Sequence, residues 1–203
     1  MSANLTVRVL PLHQAPRRPI YIRLGFREDA VGGAADAFRG RVERMIAETP
    51  VRVFHREADV RVSGETVTVG DYAFASAMVA RKFGHPARVL IMGASALPES
   101  VARRDDLEAR GDLARAVMLD AVLSEKTDCA LDLVEKELAG EWRRRGWVAG
   151  RRLSCGYGDF ALVHQRFFYA QLEFARYGIT MDERFILHPE KTVTALLPLY
   201  AGG

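Results

Sequence analysis

"ARVLIMGASAL", Ala87 to Leu97, is the run from which the fold of this chain is read. It is apolar from Val89 to Met92 without polar interruption and far too short to cross a membrane. It lies between the breakers "GHP" and Pro98, so it predicts a central strand running into a loop of small residues. Upstream, "DYAFASAMVARKF" (residues 71–83) predicts a helix, and "DAFRGRVERMIAE" (residues 36–48) another. In the second, Phe38, Val42, Met45 and Ile46 recur at helical spacing and Pro50 supplies the stop. Between them, "VRVFHREADVRV" and "ETVTVGD" alternate as half-exposed strands do. Ser63 and Gly64 separate them, which predicts a hairpin or meander. The N-terminal stretch reads as extended, and Pro19 is compatible with either the opening of a short helix or the start of a strand.

Downstream, Pro98 to about Arg145 reads as two or three helices. The longest starts at Leu113, with Asp120, Glu125 and Asp128 interrupting its apolar positions, and it ends in "EWRRRGW". "FALVHQRFFYAQLEFARYG" (residues 160–178) predicts a helix with a broad aromatic face, and "VTALLPLY" (residues 193–200) a strand returning to the sheet. Strands and helices mix without a βαβ rhythm or repeats. The expectation is one α+β domain spanning residues 1–203, with helices against a twisted antiparallel or mixed sheet.

The chain has 203 residues, 49% hydrophobic and 27% charged, enough for one core and thin for two. No apolar run reaches membrane length and the opening lacks a signal-peptide pattern, so a cytoplasmic protein without membrane contact is expected. The net charge of +3 is modest and no aromatic-rich basic module is present, which argues against nucleic acid. The arginines of "EWRRRGWVAGRR" favour an anionic group or acidic partner over that region. Phosphate-loop, dinucleotide, zinc-protease and serine-hydrolase motifs are all missing. His13, His55, His85, His164 and His188 are scattered, so neither catalytic residues nor a metal site is expected.

The loop "GRRLSCGYGDF" (residues 150–160) divides the work of holding a polar small molecule. Arg152 offers a fork to a carboxylate, Gly156 permits close backbone approach, and Tyr157 offers a ring and a hydroxyl. The other reading is a tight turn at Gly156 and Gly158 with Tyr157 packed on the sheet. Cys155 has no histidine near it in sequence and reads as a structural thiol. Asp128 and Asp132 share a helix face as acceptors for ligand hydroxyls or an amine, although Asp132 and Glu135 read first as solvated.

These landmarks resemble a known family. "RLSCGY" is similar to the R-x-x-x-G-Y motif of the activation, or reactivation, domain of cobalamin-dependent methionine synthase, especially its short stand-alone relatives. "YGITMDE", "PEKTVTA" and the strand, loop and long helix from Val89 follow in the family's order. The resemblance is strongest over residues 89–197 and diffuse before Phe74. It implies a C-shaped α+β domain that binds S-adenosylmethionine and positions it for remethylation of cobalamin carried by a partner methionine synthase component. A flavodoxin- or ferredoxin-type protein donates the electron.

Carried over, the resemblance puts Arg152 on the ligand carboxylate, the backbone of Leu153, Ser154, Cys155 and Gly156 at the adenine, Tyr157 on the same wall, and Asp128 in place of a helical glutamate. The departures are Cys155 for a proline, Arg184 for a serine, and "YIRLGF" (residues 21–26), which holds no acid where the family has an aspartate. Lys191 is a further candidate to stabilise a carboxylate. Two alternatives stand beside this reading: a docking scaffold for a corrinoid protein that has lost ligand binding, and an enzyme acting on another adenosyl or carboxylate substrate.

Overall fold

The computed structural model describes residues 4–11 and 15–202, so His13 and the first three residues lie outside the described part. Five strands form the main sheet: β1 (Thr6–Leu10), β2 (Val51–Ala58), β6 (Arg88–Ala96), β7 (Trp147–Ala149) and β10 (Thr192–Ala201). Their order is β1-β2-β6-β10-β7 and every ladder is antiparallel. The run from Ala87 is therefore the central strand. It is apolar from Val89 to Met92 because both of its faces are covered there.

On one face, Leu90, Met92 and Ala94 pack with Ala130, Leu131, Val134 and Trp142 of the long helix α5 (Leu113–Arg144). On the other, Val89 and Ile91 meet an aromatic layer containing Phe160, Phe167, Phe168 and Phe174. A third cluster joins α1 (Arg17–Arg23), α2 (Gly33–Glu48) and α4 (Pro98–Ala109) to the first half of α5. This is an α+β fold with helices flanking antiparallel sheets, and Pro19 lies in helix α1 rather than in a strand.

Four local expectations fail for identifiable reasons. The alternating run from Val51 is two strands that part at Asp59. β2 stays in the main sheet, whereas β3 (Val60–Ser63) turns at Gly64 into β4 (Thr66–Val69) of a second, three-stranded sheet. Its last strand, β5 (Tyr72–Ala75), occupies the first part of the expected helix. There Phe74 alternates inward, and only from Ser76, whose hydroxyl accepts the Val79 amide at 3.1 Å, does helix α3 (Ala77–Phe83) begin. The expected aromatic helix is a seven-residue α6 (Gln165–Gln171) between two 3-10 turns. Glu173, at φ 51°, breaks the helical path so that Phe174 can turn into the core.

The small residues after Met92 belong to β6 itself, and Gly93 shows why. A Cβ there would lie 2.9 Å from both Leu172 and Phe174 side chains. Gly93→Ala should therefore destabilise the protein by about 1–3 kcal/mol through overpacking, read as a Tm drop of about 2–12 °C. An unchanged Tm would mean that those side chains move aside at no cost.

Candidate functional site

The segment after β7 is bound to the sheet only in part. Leu153 exchanges two backbone hydrogen bonds with Leu196 of β10, at 2.9 and 2.8 Å. Beyond it the chain turns through Gly156 (φ 90°), whose amide donates to the Phe160 carbonyl at 2.7 Å. Asp159 ties the turn down by accepting from the Ser76 hydroxyl at 2.5 Å and from the Met78 amide at 3.2 Å, at the start of α3. Gly158 sits at φ 58°, a left-handed conformation that strains other residues, and a Cβ there would also push the Met78 sulfur from 2.8 Å. Tyr157 is left 71% exposed, so the alternative in which it packs on the sheet does not hold.

This turn, α5 and the segment leading into β10 enclose a cleft of about 380 Å³. Asp128, Arg152, Ser154, Cys155 and Tyr157 all line it, whereas Leu153 and Gly156, whose amides are already engaged, do not. Ser154 and Cys155 are thus the backbone-bearing motif residues on the cleft wall. The fork of Arg152 is not idle. Its Nη2 donates to Asp132 at 2.6 Å, and its Nε lies 3.0 Å from Glu135, a charge contact whose geometry falls short of a hydrogen bond. Asp132 and Glu135 are therefore partners of Arg152 rather than simply solvated carboxylates. The Nη1 of Arg152 is buried without a hydrogen-bond partner among the described residues.

Asp128 makes no ion pair within 4.0 Å among the described residues. Burial pushes its carboxyl above the ordinary range, Glu125 adds to the shift, and Arg152 opposes it. Burial likewise raises Glu135, against the pull of Arg152. Cys155 is 7% exposed and donates its thiol to the Gln165 side-chain oxygen at 2.6 Å. Thr194 donates to the same oxygen at 3.1 Å. Burial pushes the Cys155 thiol up to about 11, so it is a packed thiol and not a thiolate nucleophile. His164 packs among Tyr72, Phe74 and Phe160 rings and His188 pairs with Asp182 on the surface, as expected of structural histidines. Among the described residues no cluster could hold a metal.

Several cleft residues carried no signal in sequence. Phe185 and Ile186 line it from a turn built on Asp182, whose carboxylate accepts the amides of Arg184 and Ile186, both at 2.9 Å. Phe185 is held at φ 65°, uncommon for a bulky side chain, which marks a turn fixed by its surroundings. Arg184 itself is exposed and off the cleft. Beside Glu190, Lys191 pairs with Asp120 at 2.9 Å and Arg104 pairs with both Asp120 and Glu190. Burial pushes the Asp120 carboxyl up, but hydrogen bonds from Lys191 and Arg104 outweigh it and hold the group below its ordinary range. The network fixes the Glu190 edge of the cleft to α4 and α5.

The cleft can take an elongated molecule that places a cation near Asp128, an anion at the Arg152 fork, and a flat apolar part between Tyr157, Leu162 and Phe185. The mixture of an unpaired carboxylate, a guanidinium and aromatic surface suits binding of a zwitterionic molecule with a flat apolar part.

No protein-family model and no curated protein sequence matches the chain. Its fold, however, is shared with a solved crystal structure of the MetH reactivation domain bound to AdoHcy. The TM-score is 0.76 at 12% identity, over 99% of this chain and 80% of that one. At that identity the likeness establishes the fold alone. It extends through the N-terminal region, where the sequence pattern is diffuse. No helix among the described residues is long and apolar enough to cross a membrane.

Proposed function

We propose that this protein binds S-adenosylmethionine in the cleft and positions it for reductive remethylation of cobalamin held by a separate methionine synthase component or related corrinoid protein. The observation that carries the reading is the meeting of Asp128, Arg152 and exposed Tyr157 on one cleft, in a fold shared with a reactivation domain whose structure holds AdoHcy. The amine and sulfonium of the ligand suit the unpaired Asp128, its carboxylate suits Arg152, and its adenine suits the Ser154–Cys155 wall beside Tyr157. When bound, the ligand supplies the methyl group. The corrinoid and a flavodoxin- or ferredoxin-type electron donor come from other proteins, so the residues of this chain bind and orient.

Asp132 competes with the ligand carboxylate for Nη2 of Arg152. This exposed pair is worth at most about 1 kcal/mol, so Asp132→Asn should tighten S-adenosylmethionine binding about two- to fivefold in calorimetric titration. An unchanged constant would remove Arg152 from the carboxylate subsite. Absence of any binding at millimolar ligand would overturn the reading as a whole.

A second reading, a docking scaffold that has lost the ligand, draws on the region around Tyr21–Phe26. That stretch holds no acid, and its Arg23 pairs with Glu125 at 2.8 Å, one turn before Asp128. A corrinoid protein captured by a chain that shows no heat with S-adenosylmethionine would establish that alternative.

A further inference from the structure

A second cleft, of about 300 Å³, lies where α2, α4 and the first turn of α5 meet. Arg41, Arg44, Met45 and Glu48 sit at helical spacing on one face of α2. Arg103 and Leu107 face them from α4, and Arg115 from α5. Four guanidinium groups thus border one concavity with a single carboxylate in its lining. Glu48 is held by Arg103 at 2.8 Å, and Arg115 leans to Asp112 outside the lining at 3.5 Å. Arg41 and Arg44 have no carboxylate within 4.0 Å among the described residues. Of the basic run that stood out in sequence, two arginines are committed elsewhere: Arg145 is bound to Glu57 at 2.8 Å and stacked on Trp147, and Arg152 is bound to α5.

Two guanidinium groups without a carboxylate beside two paired ones leave an excess of positive charge where three packed helices meet, and the N-terminus of α5, capped by Asp112, lies at the same place. Such a site is stabilised by an anion carrying more than one charge. Planar arginine forks match the oxygen geometry of a phosphoryl group, and two of the four are free to make that contact. The floor of Met45 and Leu107 supplies apolar contact beneath it.

We propose that this cleft is a binding site for a phosphate-type polyanion, with Arg41 and Arg44 as the primary contacts and Arg103 and Arg115 completing the ring. The site is separate from the Asp128–Arg152 cleft and stands or falls independently of what that cleft binds. The probe is inorganic pyrophosphate, titrated calorimetrically into the full chain at constant ionic strength near 0.15 M, where unspecific surface attraction is largely screened. One-site binding is expected, weakened at least about tenfold in Arg41→Gln/Arg44→Gln and unchanged in a control pair on the exposed end of α5, Arg143→Gln/Arg144→Gln. Melting curves establish that both variants are folded. No binding to the parent chain, or equal weakening in both pairs, would overturn the proposal and reduce the cluster to diffuse surface charge.

Discussion

Arg152→Ala should weaken S-adenosylmethionine binding about 10- to 100-fold, the range set by charge-assisted hydrogen bonds of about 1.5–3 kcal/mol to a carboxylate. The loss should be confined to ligands that carry the carboxylate. 5′-Methylthioadenosine, which lacks the amino-acid portion, should bind the parent and the variant alike. The pair with half-exposed Asp132 contributes at most about 1 kcal/mol to the fold, whereas Glu135 is only 26% exposed and loses its cation as well, so a moderate loss of stability is expected. Removing the guanidinium also takes away a cation that opposes the raised proton affinity of Asp128 and Glu135. Binding of the carboxylate-bearing ligand should consequently become more pH-dependent in the variant. Equal affinities for S-adenosylmethionine in the two proteins would end the assignment of Arg152, and a collapse of the fold would show that its structural contacts dominate.

Lys126 should make the protein more stable in mild alkali than at neutral pH. Its side chain is fully buried on α5, and its ammonium donates to the carbonyls of Ile46 and Pro11 and approaches the Thr49 hydroxyl. Ile46 and Thr49 lie at the end of α2 and Pro11 directly follows β1; none of these acceptors carries a full charge, so burial outweighs them and pushes the amine down to about 8, and Cys129 acts in the opposite direction. Below pH 8 the amine is charged in both states and the folded state carries the burial penalty. Between about 8 and the ordinary value of 10.5 the folded state has released the proton and the unfolded state has not, so stability rises with pH. The full effect is about 3 kcal/mol. Chemical denaturation of the parent and Lys126→Met across pH 7 to 10.5 isolates it, because other titrating groups are common to both. The difference in stability should grow in favour of the parent as pH rises. A difference independent of pH would mean that the carbonyl contacts keep the amine at its ordinary value.

Lys126 also illustrates how far sequence reaches. It stands in the buried stripe of Val122, Leu123 and Ala130, but nothing local says that the end of α2 will supply its acceptors. Asp132 and Glu135 are a parallel case: helical spacing places them near Asp128, and only the return of the chain after β7 brings Arg152 onto them. The residue types of the "RLSCGY" loop singled it out, and Arg152, Ser154, Cys155 and Tyr157 line one cleft. The loop's Leu153 and Gly156 were not legible as withdrawn from the cleft, because backbone pairing with Leu196 and Phe160 depends on partners distant in sequence or on a turn closing.

What the sequence determined by itself is what short-range periodicity and residue chemistry carry: the central strand at Val89–Met92, the helices α2, α4 and α5, and the return of β10. The tertiary structure alone decided the rest. It divided the Val51 run between two sheets, converted Tyr72–Ala75 to a strand and the small residues after Met92 to a continuation of β6, and broke the aromatic helix at Glu173. In each case packing against a distant partner outweighed a local preference of a few tenths of a kcal/mol per residue. The cleft is of the same kind, since Asp128, Arg152 and Phe185 are separated along the chain and become neighbours only when α5, the Gly156 turn and the Asp182 turn close around the end of the sheet.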